Sequence, residues 1–261
     1  MNESLLVNIE NNVAYLTLNR PQQGNAIDLN LAKELLQAAI KCDQDPTIRC
    51  VVLTGAGRFF CAGGDVAAFE QAQQQIPSFL SELAGILHLA ISRFMRMGKP
   101  LLVVVNGTAA GAGLSLALIG DYVIADEKAQ FAPAYGAIGL SPDAGLTWHL
   151  TKLVGLRKAQ EILFLNQKLS AEESYQIGLI SKVVDAENLL ALQNNVVKQL
   201  VNSALPALGN IKQLLLSSHQ NSLETHLELE ARAIANISLG APAQEGLAAF
   251  LEKRPAQFNK D

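Results

Sequence analysis

The stretch from Leu101 to Asp121 constrains the fold more than any other part of the sequence. Its first five residues, Leu101 to Val105, are all apolar, which is typical of a strand buried on both faces. Small side chains and three glycines fill residues 106–113, and an apolar helix is predicted next, ending at Gly120. Each glycine costs a helix or strand about 0.5–1 kcal/mol, which indicates that another group approaches the backbone closely. We expect a carbonyl oxygen, bound by free N–H groups around Ala112.

A second turn of the same kind follows the predicted strand from Cys50 to Leu53. The sequence Phe59-Phe60-Cys61-Ala62-Gly63-Gly64-Asp65 leads into a helix pattern that begins at Val66. We predict that the Asp65 side chain caps this helix and holds the backbone of residues 62–64 in place. The chain thus has two glycine-rich turns, each placed between a strand and a helix.

Strands alternate with helices through the first part of the chain, and predicted helices alone fill the end. The first two strands form a hairpin around residues 10–12, and an amphipathic helix is expected from Phe79 to Met97 after a polar, mobile loop at residues 71–77. The last helices are predicted at residues 187–201, 206–218, 222–238 and 242–252. This order predicts an α/β core, residues 1–200, with a helical C-terminal region, residues 201–261.

Composition and motif defects exclude several classes of function. The net charge of −4 offers no attraction to a polyanion, so no nucleic-acid partner is expected. No signal peptide or membrane span is indicated, and the three cysteines suggest neither a disulfide framework nor a metal site, so we expect a cytoplasmic protein without membrane attachment. A nucleotide site is disfavoured at both turns, because Phe60 and Leu116 stand where a dinucleotide-binding motif needs glycine and neither turn has the Lys-Ser/Thr of a P-loop.

Two side chains could support nucleophilic catalysis. Ser115 lies in a sequence close to the G-x-S-x-G nucleophile elbow, but alanine replaces the second glycine, so we favour a small residue packed on a buried helix. His149 is the one candidate base near a predicted turn. The other histidines, His88, His219 and His226, lie on amphipathic helices and are expected at the surface or in the core.

Asp143 and Arg20 each allow two interpretations. Ser141-Pro142-Asp143 is a capping signature for a helix start, which would make Asp143 structural. Its sequence neighbours are mostly apolar, however, and a carboxylate in apolar surroundings has a raised pKa that suits an acid/base group. Arg20 stands between a strand and Pro21 and could contact a phosphate or simply be solvated.

Five motifs in a fixed order carry a resemblance to a known family. They are the two glycine-rich turns, separated by the long helix, together with Leu18-Asn19-Arg20-Pro21, Ala129-Gln130-Phe131 and the segment from Gln244 to Arg254. This set, which covers nearly the whole chain, resembles the crotonase, or enoyl-CoA hydratase/isomerase, family. The resemblance implies a spiral of ββα units and a C-terminal helical region that forms a homotrimer or a dimer of trimers. It also implies acyl-CoA thioester substrates, with no cofactor apart from the coenzyme A of the substrate.

The resemblance further implies roles for individual residues. The backbone N–H groups of Gly64 and Ala112 would together bind the thioester oxygen, and Asp143 stands where members with a Gly-x-x-Pro-Asp-x-Gly pattern carry their acid/base. The two glutamates of hydratases align with Ser115 and Tyr135, neither of which is acidic. The expected substrate-binding residues are Arg20, Ala26, Ala62, Gly63, Asp65, Val66, Gly111, Tyr135, Leu140, Phe250 and Lys253, the last two near the coenzyme A of a neighbouring subunit.

These residues favour the isomerase branch of the family, which includes ring-1,2-epoxyphenylacetyl-CoA isomerases and enzymes that move double bonds in 3-enoyl-CoA substrates. We predict an acyl-CoA isomerase that works through a thioester enolate, with Asp143 as both base and acid and the Gly64 and Ala112 amides as an oxyanion hole. Two alternatives stay open. One is an enoyl-CoA hydratase, lyase or thioester hydrolase of the same fold, and the other is a catalytically weak subunit that only binds CoA esters.

Overall fold

The computed structural model describes residues 3–259, which form two β-sheets covered by helices. The strands are β1 Leu5–Glu10, β2 Val13–Leu18, β3 Cys50–Gly55, β4 Phe59–Cys61, β5 Leu101–Val105, β6 Thr108–Ala110, β7 Tyr122–Asp126, β8 Gln130–Ala132, β9 Leu169–Ser170 and β10 Lys182–Val184. The helices are α1 Leu29–Gln44, α2 Val66–Ala72, α3 Ile76–Arg96, α4 Ala112–Ala117, α5 Leu146–Phe164, α6 Ala171–Gln176, α7 Ala186–Val201, α8 Leu205–Ser217, α9 Leu223–Ile237 and α10 Ala241–Leu251.

The chain alternates between the two sheets, so that a strand of the larger sheet is repeatedly followed by a strand of the smaller sheet. The larger sheet has the order β1-β2-β3-β5-β7-β10. The β1–β2 hairpin is antiparallel, and all the remaining neighbouring strands in this sheet are parallel. The smaller sheet has the order β4-β6-β8-β9. The strands β3, β5 and β7 of the larger sheet are each followed by a strand of the smaller sheet and then by a helix. This repeated ββα unit confirms the predicted α/β spiral.

The strand β5 lies in the middle of the larger sheet, and all five of its residues are buried. Side chains alternate between the two faces of a strand, so β5 contributes to two cores. Leu101, Val103 and Val105 pack with residues of α1 and α3, whereas Leu102 and Val104 pack with residues of α7. The unbroken apolar run is explained by these two helical layers.

Gly107 and Gly113 allow two segments of backbone to touch. A Cβ atom added to Gly107 would stand 2.0 Å from the carbonyl oxygen of Arg58, and one added to Gly113 would stand 2.2 Å from the carbonyl oxygen of Cys61. The groups that approach these two glycines are carbonyl oxygens of the chain itself, and the oxygen expected at the N–H groups around Ala112 stays a prediction. The contacts hold the first glycine-rich turn against the second, beside the parallel pairing of β4 with β6.

Two segments differ from the prediction. Residues 71–77, expected as a mobile loop, are helical, because α2 runs to Ala72, a 3₁₀ turn spans Gln73–Gln75 and α3 begins at Ile76. The polar residues of this segment are mostly exposed, and apolar packing continues beneath them, where the rings of Phe69 and Phe79 meet edge to face at 6.1 Å. The second difference is the strand β6, which the sequence does not predict because its three small residues are also typical of a turn.

The C-terminal helices α7 to α10 begin and end within a few residues of the predicted positions. The helix α5 is kinked at Gly155, where this glycine has a φ of 77° and a ψ of 159°. In the part of the chain that the structure describes, no helix combines the length and the hydropathy needed to cross a bilayer. The division between residues 1–200 and 201–261 stays a prediction.

Gly113→Ala should destabilise the protein, because the new Cβ atom would overlap the Cys61 carbonyl and overpacking of a filled interior costs about 1–3 kcal/mol or more. Gly85→Ala is the matched control. Gly85 is exposed within α3 and a Cβ atom there meets nothing within 4 Å, so this change should stabilise the protein by about 0.5–1 kcal/mol. Urea unfolding followed by circular dichroism measures both, and equal midpoints would contradict the packing of the two turns.

Candidate active site

A cavity of about 540 Å³ lies where the two glycine-rich turns meet α2, α3 and the segment before α5. Its walls are mainly apolar and include Phe69, Leu80, Leu83 and Leu87 from the two helices. Nine of the predicted site residues line it: Ala62, Gly63, Gly64, Val66, Gly111, Ala112, Tyr135, Leu140 and Asp143. The structure therefore brings three separate segments of the chain together around one space.

The first glycine-rich turn packs directly on the second at this cavity. Gly63 has a φ of 105°, and a Cβ atom on it would stand 2.9 Å from the Ala110 carbonyl oxygen and 3.5 Å from the Ala112 nitrogen. Within residues 3–259, the N–H groups of Gly64 and Ala112 donate to no acceptor of the chain. Because both residues line the cavity, two backbone donors are available to an oxygen atom bound there.

Behind the first turn, Arg20 joins several groups at once. Its guanidinium donates to the Asp65 carboxylate at 2.9 Å and to the Ala26 carbonyl oxygen, and it lies 3.1 Å from the Asp28 carboxylate. Asp65 also accepts the Ala68 N–H at 3.3 Å, which confirms the predicted cap of α2. The structure gives Arg20 a bracing role that neither sequence interpretation included. Arg20, Ala26 and Asp65 support the turn from outside the cavity lining.

Asp143 precedes α5 without capping it. The helix begins at Leu146, after Ala144 and Gly145 in left-handed backbone conformations with φ values of 53° and 79°. The predicted helix start at Ser141 is therefore wrong, because these two residues interrupt the helical conformation. The side chain of Asp143 is 36% exposed, so its apolar sequence neighbours do not enclose it. Its carboxylate lines the cavity and accepts no N–H of the helix terminus, where only the Asp143 carbonyl contributes, by accepting the Leu146 N–H at 3.0 Å.

The Asp143 carboxylate accepts a hydrogen bond from the Tyr135 hydroxyl, with 2.5 Å between the oxygens. Burial raises the pKa of Tyr135 and the Asp143 carboxylate raises it further, so the phenol stays protonated and keeps donating. Ser115 is fully buried in the same cluster, with its Oγ 3.4 Å from the Tyr135 oxygen and donating to the Asp143 carbonyl at 3.2 Å. The positions expected for the hydratase glutamates thus hold two hydroxyl groups beside one carboxylate.

His88 is the site residue that the sequence analysis missed. Its Nε2 accepts the Ala144 N–H at 3.0 Å and lies 3.8 Å from the Asp143 carboxylate. The residue stands on α3 one turn beyond Ala84, which lines the cavity. Its spacing from Leu80 and Ala84, four residues at each step, is the sequence signal that places it on the same face of the helix.

Three other residues from the sequence analysis lie away from this cavity. Phe250 and Lys253, at the end of α10, are exposed, and their predicted contact with the coenzyme A of a neighbouring subunit stays a prediction. His149 is buried in α5 and borders a neighbouring cavity. Burial lowers the pKa of His149 to about 4, with a smaller contribution from Lys152. In residues 3–259, no cluster of three or more His, Cys, Asp or Glu side chains is placed to hold a metal ion.

Both the sequence and the fold match known proteins. Residues 8–261 match the family described as enoyl-CoA hydratase/isomerase. The chain is 38% identical to a 1,2-epoxyphenylacetyl-CoA isomerase from Escherichia coli strain K12 over 99% of both chains, and 33% identical to a probable enoyl-CoA hydratase from Rhizobium meliloti over 98% of both. The crystal structure of an enoyl-CoA hydratase from Polaromonas sp. JS666 matches with a TM-score of 0.93 and 33% identity, over 97% of this chain and 98% of that one. Similar proteins thus carry both isomerase and hydratase names.

Stability should fall as the pH is lowered from about 6.5 to about 4, in part because of His149. The folded protein keeps this imidazole neutral down to about pH 4, whereas the unfolded chain takes up its proton near 6.5. The free energy of unfolding therefore decreases as the pH falls through this interval, by up to about 1.4 kcal/mol per pH unit. His149→Gln should flatten that slope, and His219→Gln, at an exposed position, should not. Urea unfolding at a series of pH values measures it, and an unchanged slope in the His149 variant would contradict the prediction.

Proposed function

Because this chain belongs to the enoyl-CoA hydratase/isomerase family, we propose that it is an acyl-CoA isomerase that moves a double bond, or rearranges a ring, through a thioester enolate. The observation that supports this most is the single carboxylate of the cavity. Among the described residues that line it, Asp143 is the one acidic side chain. Ser115 and Tyr135 stand where the resemblance expects the two glutamates of hydratases. One carboxylate is sufficient for isomerisation, because the same group can remove a proton and then return it.

The backbone amides and Asp143 have separate tasks in the proposed reaction. The N–H groups of Gly64 and Ala112 bind the thioester oxygen and stabilise the negative charge that develops there, each by about 2.7–4 kcal/mol in the transition state. The Asp143 carboxylate takes a proton from the α-carbon, and the electron pair of that C–H bond moves into the enolate. Protonated Asp143 then returns the proton to the γ-carbon, so the double bond moves while the atoms of the substrate are conserved.

The cavity favours an apolar acyl group. Its walls carry aliphatic and aromatic side chains from α2 and α3, and Ile138 and Leu140 extend them on the side of Asp143. The volume of about 540 Å³ lies within the range of about 300–1,000 Å³ that small-molecule sites occupy. Because the proposed reaction transfers only a proton, the coenzyme A of the thioester substrate is the one cofactor that it requires.

Exposed apolar side chains on the last three helices support the proposal of a homotrimer or a dimer of trimers. Leu215, Leu223, Leu227, Ile234 and Leu247 are each more than half exposed. Exposed apolar surface of this kind is typical of contacts between protein subunits. We therefore assign the subunit contacts to residues 201–261.

Asp143→Asn should fold normally and lose isomerisation of a 3-enoyl-CoA by about 100-fold or more, because a carboxamide cannot take up the α-proton. Asp185→Asn is the matched control, since Asp185 caps α7 at an exposed position, and turnover should stay unchanged. The rise of conjugated 2-enoyl-CoA absorbance measures the reaction. Near-normal turnover by the Asp143 variant would remove Asp143 from the mechanism.

A second substrate separates the isomerase from the alternatives. A 2-enoyl-CoA loses its conjugated absorbance when water adds across the double bond and keeps most of it with an isomerase. Rapid loss with the wild-type protein would favour the hydratase activity that several relatives are named for. Thermal stabilisation by CoA esters without any product from a panel of them would favour a binding subunit.

Ala112→Pro should lower kcat by about 10²–10³, because it removes one N–H of the proposed oxyanion hole. Proline is tolerated at the first position of a helix, where the N–H has no partner within the helix. Gly111, with a φ of 52° and a ψ of −126°, has no Cβ atom to meet a following proline ring, and this mirror image of the extended conformation keeps its nitrogen clear of that ring. Circular dichroism and thermal unfolding establish that the variant folds. Unreduced kcat in the folded variant would exclude this N–H as a donor.

A further inference from the structure

The backbone after Asp143 adopts a conformation that its own sequence does not favour. Ala144 has a φ of 53°, which residues other than glycine rarely adopt. Such conformations persist where contacts from the surroundings hold them. Three side chains from other segments make these contacts, namely His88 from α3, Tyr135 from the 3₁₀ turn Tyr135–Ile138 and Ser115 from α4, whose hydroxyl donates to the Asp143 carbonyl.

His88 holds the turn through the main chain. The Ala144 N–H donates to Nε2 at 3.0 Å, so Nε2 is the acceptor of this bond and carries no hydrogen in it. The distance of 3.8 Å between Nε2 and Oδ2 of Asp143 is then too long for a hydrogen bond and has no proton to bridge it. Oδ2 therefore keeps its lone pairs.

Tyr135 engages the other carboxylate oxygen. Its hydroxyl donates to Oδ1 of Asp143 at 2.5 Å, and the buried ring is also held by the Ser115 hydroxyl at 3.4 Å. A hydrogen bond from a neutral donor to a carboxylate favours the charged form. Among residues 3–259, Tyr135 and His88 are the titratable side chains that lie within hydrogen-bond or ion-pair distance of the Asp143 carboxylate. The two oxygens of Asp143 thus have different surroundings.

We propose that Tyr135 and His88 are positioning residues that make Asp143 a base with one working oxygen. Tyr135 occupies Oδ1, and His88 fixes the turn by accepting the Ala144 N–H, which leaves Oδ2 to take and return the proton. The inference rests on the proposed function, because it requires Asp143 to move a proton. Oδ2 is then the reacting oxygen of Asp143, and Tyr135 and His88 act through Asp143 without touching the reacting carbons.

Tyr135→Phe keeps the ring and removes the hydroxyl. We expect kcat for 3-enoyl-CoA isomerisation to fall about tenfold or more while KM changes little, because the contacts of the bound substrate remain. This split between kcat and KM distinguishes loss of positioning from loss of substrate binding. Tyr175→Phe, at an exposed tyrosine of α6, is the matched control and should behave as the wild type. Lower stability with an unreduced kcat would overturn the role of Tyr135.

His88→Gln and His88→Leu form a second matched pair. The glutamine carboxamide oxygen can accept the Ala144 N–H, whereas leucine cannot, so we expect the glutamine variant to keep most of the turnover and the leucine variant to lose about tenfold. Deuterium exchange at the Ala144 amide, read by mass spectrometry of the peptide that contains it, should be faster in the leucine variant alone. Equal turnover and equal exchange in both variants would overturn the role of His88.

A proton NMR spectrum distinguishes failure of this inference from failure of the proposed function. The Tyr135–Asp143 bond should give a hydroxyl resonance downfield of the amide region, present in the wild type and absent from Tyr135→Phe and Asp143→Asn, whether or not any CoA ester is turned over. A wild-type protein that shows this signal but isomerises nothing would overturn the proposed function and leave the Tyr135–Asp143 pairing in place. A wild-type isomerase whose Tyr135→Phe variant matches it in kcat and KM would overturn the inference alone.

Discussion

Close contact between backbones sets the geometry of the site. The carbonyl oxygen of Cys61 lies where a side chain of Gly113 would begin, and the carbonyl oxygen of Arg58 lies where a side chain of Gly107 would begin. Only glycine permits an approach this close, so the parallel pairing of β4 with β6 depends on residue type at two positions. Gly64 lies three residues after the end of β4, and Ala112 lies two residues after the end of β6. Their N–H groups reach one cavity because the strands before them cannot separate without losing that pairing.

Local chemistry made much of this fold predictable. The apolar run of β5 indicated a strand buried on both faces, and Asp28 and Asp65 accept backbone N–H groups at the starts of α1 and α2, as capping side chains do. These signals depend on residues a few positions apart and on the spacing of apolar side chains, which a sequence displays directly. The two glycine-rich turns were predictable for the same reason, although their close contact with each other was not.

The arrangement around Asp143 was not predictable, because it depends on residues distant in sequence. The capping signature before α5 is overridden by the left-handed backbone of Ala144 and Gly145. His88 meets this turn across 56 positions of sequence, and Arg20 meets Asp65 across 45. Sequence neighbours are also a poor guide to the surroundings of a carboxylate, since Asp143 is partly exposed and bonded to a hydroxyl. Only the tertiary structure supplies these contacts.

The apolar walls of the cavity and its backbone donors come from different layers of the molecule. The walls are carried by the helices α2 and α3, whereas Gly64 and Ala112 follow strands of the smaller sheet. In evolution, a partly exposed wall side chain such as Leu80 can therefore be exchanged for a larger or smaller one without disturbing the sheet. The helix itself has less freedom, because His88 ties α3 to the backbone beside Asp143. Divergence among such proteins should consequently proceed by replacing side chains on a fixed helix more readily than by shifting that helix.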